Sequence, residues 1–153
     1  LSKIENGQFL QTSEVDMNTL AADSIALHQE IYGHKNIKVD VKGEERFILK
    51  SDEQMASVLI GNLVKNAFLY TPEGGSIEIQ MSRTGFSISN DGNAPLDKEK
   101  VFRRFYQPSG RREGATGLGL ALVYSVCINN GLDITYDYAD GRHIFSIILK
   151  KSK

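Results

Sequence analysis

The sequence predicts an α+β fold, a two-layer sandwich in which a mostly antiparallel sheet carries helices packed on one face. Three observations lead there. Strand-like segments come in pairs between helical stretches instead of alternating with them singly. Two of these pairs join through short turn-forming stretches, Arg83-Thr84-Gly85 and Asp140-Gly141, which make hairpins rather than crossovers. The 153 residues, 41% hydrophobic and 24% charged, have ordinary globular usage and suffice to bury one core.

Each element has its own warrant. Val15 to Tyr32 reads as a helix, with Leu20, Ile25, Leu27 and Ile31 on roughly one side. Gly33 and Lys35 break it, and Ile37 to Val41 alternates as a strand. Arg46 to Leu49 is a second short strand after the turn at Gly43. Asp52 caps a helix that runs to about Phe68, stopped before Pro72 and Gly74-Gly75. Ser76 to Met81 and Phe86 to Ser89 form the first hairpin. A third helix runs from near Gly117 to Asn130, with Gly131 placed to end it. It is apolar on most sides and so expected to be buried. Ile134 to Tyr138 and His143 to Leu149 form the last hairpin.

Bulk properties exclude several classes. A formal net charge of -1 leaves no broadly basic footprint for nucleic acid. A single cysteine, Cys127, fits a reducing cytoplasmic setting, and no apolar run reaches membrane-spanning length. The chain begins at Leu1 rather than a methionine, so a segment of a longer protein is expected.

The helix behind Asp52 carries the first anomaly. Turning 100° per residue puts Met55, Leu59, Asn62 and Asn66 on one stripe, flanked by Val58 and Leu63. Two asparagines thus interrupt an apolar face. For a lone buried amide the simpler reading is a bond to a neighbouring loop. Two of them at i, i+4 can instead line a cleft, where a neutral amide oxygen suits Mg²⁺. Gly114-Ala115-Thr116-Gly117-Leu118-Gly119-Leu120 is the second signal. Glycines at a helix mouth let backbone N–H groups approach an anion such as phosphate. No Gly-Lys-Ser/Thr follows, so this is not a Walker-type loop. Asn90-Asp91-Gly92-Asn93-Ala94-Pro95 is first of all a turn. Phe102-Arg103-Arg104-Phe105-Tyr106 sets aromatics beside arginines, and alone it reads as a small satellite core under a loop.

Taken in order, these segments resemble the nitrogen, first glycine, phenylalanine and second glycine boxes of the ATP-binding catalytic domain of sensor histidine kinases. The matches are Asn62-Leu63-Val64-Lys65-Asn66-Ala67 with Tyr70-Thr71-Pro72, then Asn90-Asp91-Gly92, Phe102 to Tyr106, and Thr116 to Leu120. The resemblance covers roughly Leu10 to Lys150 and implies the mixed, mostly antiparallel sheet that these kinases share with gyrase, MutL-type and chaperone ATPases. It makes residues 10–153 the ATP-binding domain and residues 1–9 the tail of a preceding dimerisation helix.

The resemblance also assigns roles. Asn66 is the Mg²⁺ ligand and Asn62 a phosphate contact, while Tyr70 lines the nucleotide cleft. Asn90, Asp91, Gly92 and Ala94 stand at the adenine box. Thr116, Gly117, Leu118 and Gly119 cradle phosphate at the helix start. Gln107 to Ala115 is the mobile lid, anchored by Phe102 and Phe105. Arg111 or Arg112 extends toward phosphate, although a solvated lid charge is the simpler reading. The implied cofactors are ATP and Mg²⁺. The implied partners are the dimerisation and phosphoacceptor domain of the same protein and a response regulator receiver domain, with no nucleic acid and no direct membrane contact for this segment.

Three departures stand out: Asn90 replaces an aspartate that accepts from the adenine amino group, Ala94 replaces a glycine, and Leu69 replaces a basic residue. At Asn90 an amide forgoes the charge-assisted part of the bond, about 1 kcal/mol, and can rotate to meet guanine. Weaker ATP affinity and poorer rejection of GTP are therefore expected. His28, His34 and His143 stand in no acceptor box and read as surface or lightly packed. No general base is evident, so the chain reads as the donor half of a split enzyme. Two alternatives are a degenerate docking module that has lost ATP, and a gyrase-like or chaperone-like ATPase. The second usually carries a glutamate where Asn62 stands.

Overall fold

The computed structural model describes residues 12–106 and 118–150, and its first element is a strand where the sequence predicts the start of a helix. β1 (Thr12–Asp16) pairs antiparallel with β3 (Ile48–Asp52), setting buried Val15 opposite buried Leu49. Helix α1 (Met17–Ile31) then begins behind Asp16, whose carboxylate accepts the Thr19 N–H at 3.2 Å. Its buried stripe is Met17, Ala21, Ile25 and His28, whereas Leu27 and Ile31 are each 54% exposed. The expected face was turned by a fraction of a helical turn, because α1 packs against α2 along the side of residues 21, 25 and 28. His28 is accordingly not a surface residue. Its Nδ1 lies 2.8 Å from the Ser24 carbonyl oxygen, and its ring stacks on Phe68 at 6.0 Å.

A 3-10 turn (Gly33–Lys35) leads to β2 (Lys38–Lys42), and β3 follows after a five-residue connection. Asp52 caps α2 (Glu53–Tyr70) as the sequence predicts, its carboxylate accepting the Gln54 and Met55 N–H groups at 2.9 and 3.2 Å. β4 (Ser76–Ser82) and β5 (Gly85–Asp91) form the first hairpin. α3 (Gly119–Asn129) precedes β6 (Leu132–Ala139) and β7 (Arg142–Leu149), which turn through Asp140 and Gly141 at positive φ. In the main sheet the order is β2-β4-β5-β7-β6, parallel only between β2 and β4, so the mixed, mostly antiparallel sheet of the sequence reading is present.

Alternation along the strands decides which face the helices cover. Ile79, Ile88, Phe145 and Tyr136 are register partners in sequence across β4, β5, β7 and β6, and all four are buried. One row nearer the strand ends lie Ile77, Asn90, His143 and Tyr138. The opposite face carries Glu78, Ser87, Ser89, Asp91 and Arg142. Against the apolar face, α2 sits between α1 and α3. It buries Leu59, Ile60, Leu63, Val64 and Phe68, each contributing about 1.5–3 kcal/mol. α3 is less enclosed than expected. It buries Val123, Val126 and Cys127, but Leu122, Tyr124 and Ile128 are about half exposed, because it packs chiefly on α2 and β6 as an outer helix.

Candidate functional site

A cleft of about 430 Å³ opens where the C-terminal part of α2 meets the loop after β5, the start of α3 and the first half of β7. That size suits a small-molecule site. From α2 and its continuation come Asn66, Tyr70 and Thr71 with Pro72 and Glu73, and from the loop come Gly92 to Leu96 with Tyr106. Leu120 of α3, His143 and Phe145 of β7, and Lys35 complete the lining.

The local folding reasons are visible residue by residue. Lys35 lies across the end of α2, donating from Nζ to the carbonyls of Phe68 and Leu69 at 2.8 and 3.0 Å. These carbonyls are among those a helix terminus leaves unpaired. The loop after β5 is strapped by three tyrosines. Tyr138 donates to the Gly92 carbonyl at 2.9 Å, while Tyr136 and Tyr106 accept the Leu96 and Asp97 N–H groups at 2.9 and 3.1 Å. Val101 is buried, and Phe102 stacks on Tyr124 at 5.6 Å and meets Phe145 edge-on. Phe105, expected as the other anchor, is instead 66% exposed.

The polar residues singled out from sequence separate into groups. Asn66, Tyr70, Gly92 and Ala94 line the cleft. Asn62, one turn before Asn66, donates from Nδ2 to the Val58 carbonyl at 2.8 Å. Its Oδ1 is left facing α3, where a Cβ on Gly119 would stand 3.0 Å away. A side chain on residue 119 would press on that amide, which would have to give by a few tenths of an ångström. Leu118 is the N-cap residue of α3, and its own side chain makes no capping hydrogen bond. Asn66 is half-buried, and among the described residues its carboxamide takes no hydrogen-bond partner. Arg111, Thr116 and Gly117, with the lid from Gln107 to Ala115, lie outside the described residues.

Asn90 and Asp91 point to opposite faces of β5. Asn90 is 3% exposed on the helix-covered face, donating from Nδ2 to the Asp91 carbonyl at 3.1 Å. Asp91 faces the polar side, where its carboxylate accepts from the Ser76 N–H at 2.7 Å and from Arg142 at 2.8 Å. It is held there in a structural ion pair and does not line the cleft.

His143 reverses the sequence expectation. It is 9% exposed, lines the cleft, and is the register partner of Asn90. Its Nδ1 lies 2.7 Å from Tyr136 Oη, and burial pulls its pKa below the usual imidazole value. Burial likewise raises the Tyr136 phenol, which keeps its proton. The sequence did hold the signal: His143 is in phase with Phe145 and Ile147, the inward residues of an alternating strand. Cys127 is buried on the inner side of α3, its thiol pushed up to about 12, chiefly by burial, and offers no nucleophile.

The profile of the histidine kinase-, DNA gyrase B- and HSP90-like ATPases matches residues 51–153, more than half of the chain. The sensor-like histidine kinase SenX3 of Mycobacterium tuberculosis (strain ATCC 25618 / H37Rv) is 30% identical over 140 residues, covering 85% of this chain and 34% of that protein. This chain thus spans about a third of the length of the curated relative it matches. The mycobacterial sensor histidine kinase MprB shares the fold with a TM-score of 0.77, at 23% identity over 90% of this chain and 97% of that one. The histidine kinase ThkA, solved in complex with the response regulator protein TrrA, superposes with a TM-score of 0.72 at 23% identity, over 92% of this chain and 42% of that one.

Proposed function

This chain belongs to the histidine kinase-, DNA gyrase B- and HSP90-like ATPase family, as an ATP-binding domain of the sensor histidine kinase kind, and from that premise we propose that it presents Mg²⁺-ATP to a histidine on a separate domain. The observation that carries the proposal is the placement of Asn66. Its amide, without a hydrogen-bond partner among the described residues, lines the same cleft as Leu120 in the first turn of α3, while Gly119 stands against Asn62. A helix start at the edge of such a cleft favours phosphate through both backbone hydrogen bonding and dipole.

The donor set fits a hard cation held jointly by protein and nucleotide. Among the described residues no cluster of three or more His, Cys, Asp and Glu side chains gathers as a metal cage. Mg²⁺ takes few protein oxygens and completes its shell with phosphate and water. When bound, Mg²⁺ neutralises phosphate charge. Asn66 would hold it, Asn62 and the first-turn amides of α3 would orient the phosphates, and Tyr70, Gly92 and His143 would flank the rest of the nucleotide. Catalysis of this kind is positioning and electrostatic stabilisation, for which the chain needs no general base.

None of the three histidines is an acceptor in this scheme. His28 is stacked in the helix layer and His143 is buried in the sheet. The acceptor then belongs to the dimerisation domain of the parent protein, and a response regulator receiver domain takes the phosphoryl group next. Among the described residues no helix is long and apolar enough to cross a membrane, and we place the domain on the cytoplasmic side. Titration with ATP, with and without Mg²⁺, tests the function. Saturable binding strengthened by Mg²⁺ is expected, and no binding at millimolar ATP would leave a docking module.

A further inference from the structure

We propose that Lys35 supplies the positive charge that lets the cleft accept an anionic nucleotide, by offsetting the carbonyl end of α2 and the Glu73 carboxylate. This role rests on the ATP-holding function above and adds a residue and a charge preference to it. Among the described residues that line the cleft, Lys35 is the one lysine or arginine and Glu73 the one acidic residue. Lys35 is half-buried, whereas every other described lysine is exposed.

The chain fixes this ammonium through several groups at once. The 3-10 turn that carries Lys35 ends at Asn36, whose left-handed φ of 54° redirects the backbone toward β2. Gly74 donates its N–H to the Lys35 carbonyl at 2.7 Å, and Lys38 donates its own to the Gly75 carbonyl at 3.0 Å. Both bonds stitch the turn to the loop that follows α2. Nζ then donates to the Phe68 and Leu69 carbonyls and lies 5.7 Å from the centre of the Tyr32 ring. Tyr32 stacks in turn on Phe68. Holding a lysine in this way costs side-chain entropy that an exposed lysine keeps.

The surrounding charges give that cost a function. Carbonyls at a helix C-terminus carry the negative end of its dipole. Tyr70 and Thr71, which follow the two carbonyls directly, line the cleft together with Glu73. Without Lys35, this end of the cleft would present helix carbonyls and a carboxylate to Mg²⁺-ATP, whose net charge is about -2, and both would repel it. Phe68 and Asn62 are separated along α2 by a rise of about 9 Å. Gly119, at the start of α3, stands against Asn62. The ammonium thus acts on phosphate there without touching it, through a field that salt screens over about 8–10 Å.

The test is titration of adenosine, Mg²⁺-ADP and Mg²⁺-ATP into the whole chain, Lys35→Gln and Lys35→Arg, at low salt and at about 0.5 M salt. Glutamine can keep a hydrogen bond to the α2 carbonyls but carries no charge, and arginine keeps both. At low salt Lys35→Gln should bind Mg²⁺-ATP about fivefold more weakly, Mg²⁺-ADP about twofold more weakly, and adenosine as well as the unsubstituted chain does. The Mg²⁺-ATP gap should shrink at the higher salt, and Lys35→Arg should bind as the unsubstituted chain does. If Lys35→Gln does not fold, Glu73→Gln decides, since it leaves the α2 carbonyls capped; it should strengthen Mg²⁺-ATP binding about twofold at low salt and leave adenosine unchanged. An equal loss for all three ligands, a loss as large at the higher salt, or unchanged Mg²⁺-ATP affinity in both glutamine variants would make Lys35 a structural cap only and overturn the proposal alone. Failure of all three ligands to bind the unsubstituted chain would overturn the ATP-holding function and this role with it.

Discussion

Asp91→Asn separates the two neighbouring polar residues at the end of β5, because only one of them faces the cleft side of the sheet. The Asp91 carboxylate accepts the Ser76 N–H at 2.7 Å and an Arg142 N–H at 2.8 Å. An asparagine of the same volume can keep the first bond through its oxygen. Its NH₂ then meets the Arg142 guanidinium, donor against donor. A hydrogen bond to a charged group contributes roughly 1.5–3 kcal/mol and a fully exposed ion pair about 0–1. With side chains 24% and 39% exposed, this pair falls between those limits, at about 1.5 kcal/mol. For a chain of this size that lowers Tm by roughly 3–6 °C. Nucleotide affinity should change by less than about twofold, since the lost bond lies across the sheet from the cleft. Thermal unfolding by circular dichroism and an ATP titration give the two readouts. An unchanged Tm together with a tenfold loss of ATP affinity would refute the reasoning and shift the adenine box by one residue.

Other consequences follow from the same structure. Gly119→Ala places a methyl 3.0 Å from Asn62 Oδ1, so ATP affinity should fall several-fold while Tm holds or rises, as alanine favours a helix; unchanged affinity would count against the phosphate role of α3. Incubated alone with γ-labelled ATP, the chain should acquire no acid-labile phosphohistidine, and stoichiometric label on His28, His34 or His143 would contradict the split-enzyme account. The pKa of His143 is lowered by burial, so between that value and the unfolded value of about 6.5 the unfolded chain binds more protons. Stability should therefore fall as pH drops below about 6.5, and less steeply in His143→Gln; parallel pH profiles would disprove this.

Local chemistry made much of the fold legible. Asp52 as a cap, Pro72 beyond the end of α2 and the Asp140-Gly141 turn each act through neighbours only a few residues away. What failed depends on partners distant in sequence. Val15 continues a plausible helix pattern, and only its pairing with Leu49 across 34 residues makes it a strand residue. Leu27 and Ile31 are as apolar as Ile25, and the side on which α2 packs selects between the stripes. The α2 asparagines were legible because amides on an apolar face are conspicuous. Asn90 and Asp91 are adjacent, and the phase of β5, with Phe86 and Ile88 inward, puts Asn90 on the covered face. The burial of His143 is legible only from its phase with Phe145 and Ile147, not from the residue alone.

The central claim is that Asn66 couples Mg²⁺ to ATP in this cleft. The most direct measurement is calorimetric titration of ATP into the chain and into Asn66→Ala, each with Mg²⁺ and with a chelator. Asn66 is half-buried with no described hydrogen-bond partner, so the substitution should leave Tm within a degree or two. The account expects Mg²⁺ to strengthen ATP binding in the unsubstituted chain and to have little effect in Asn66→Ala. An equal Mg²⁺ enhancement in both would contradict it.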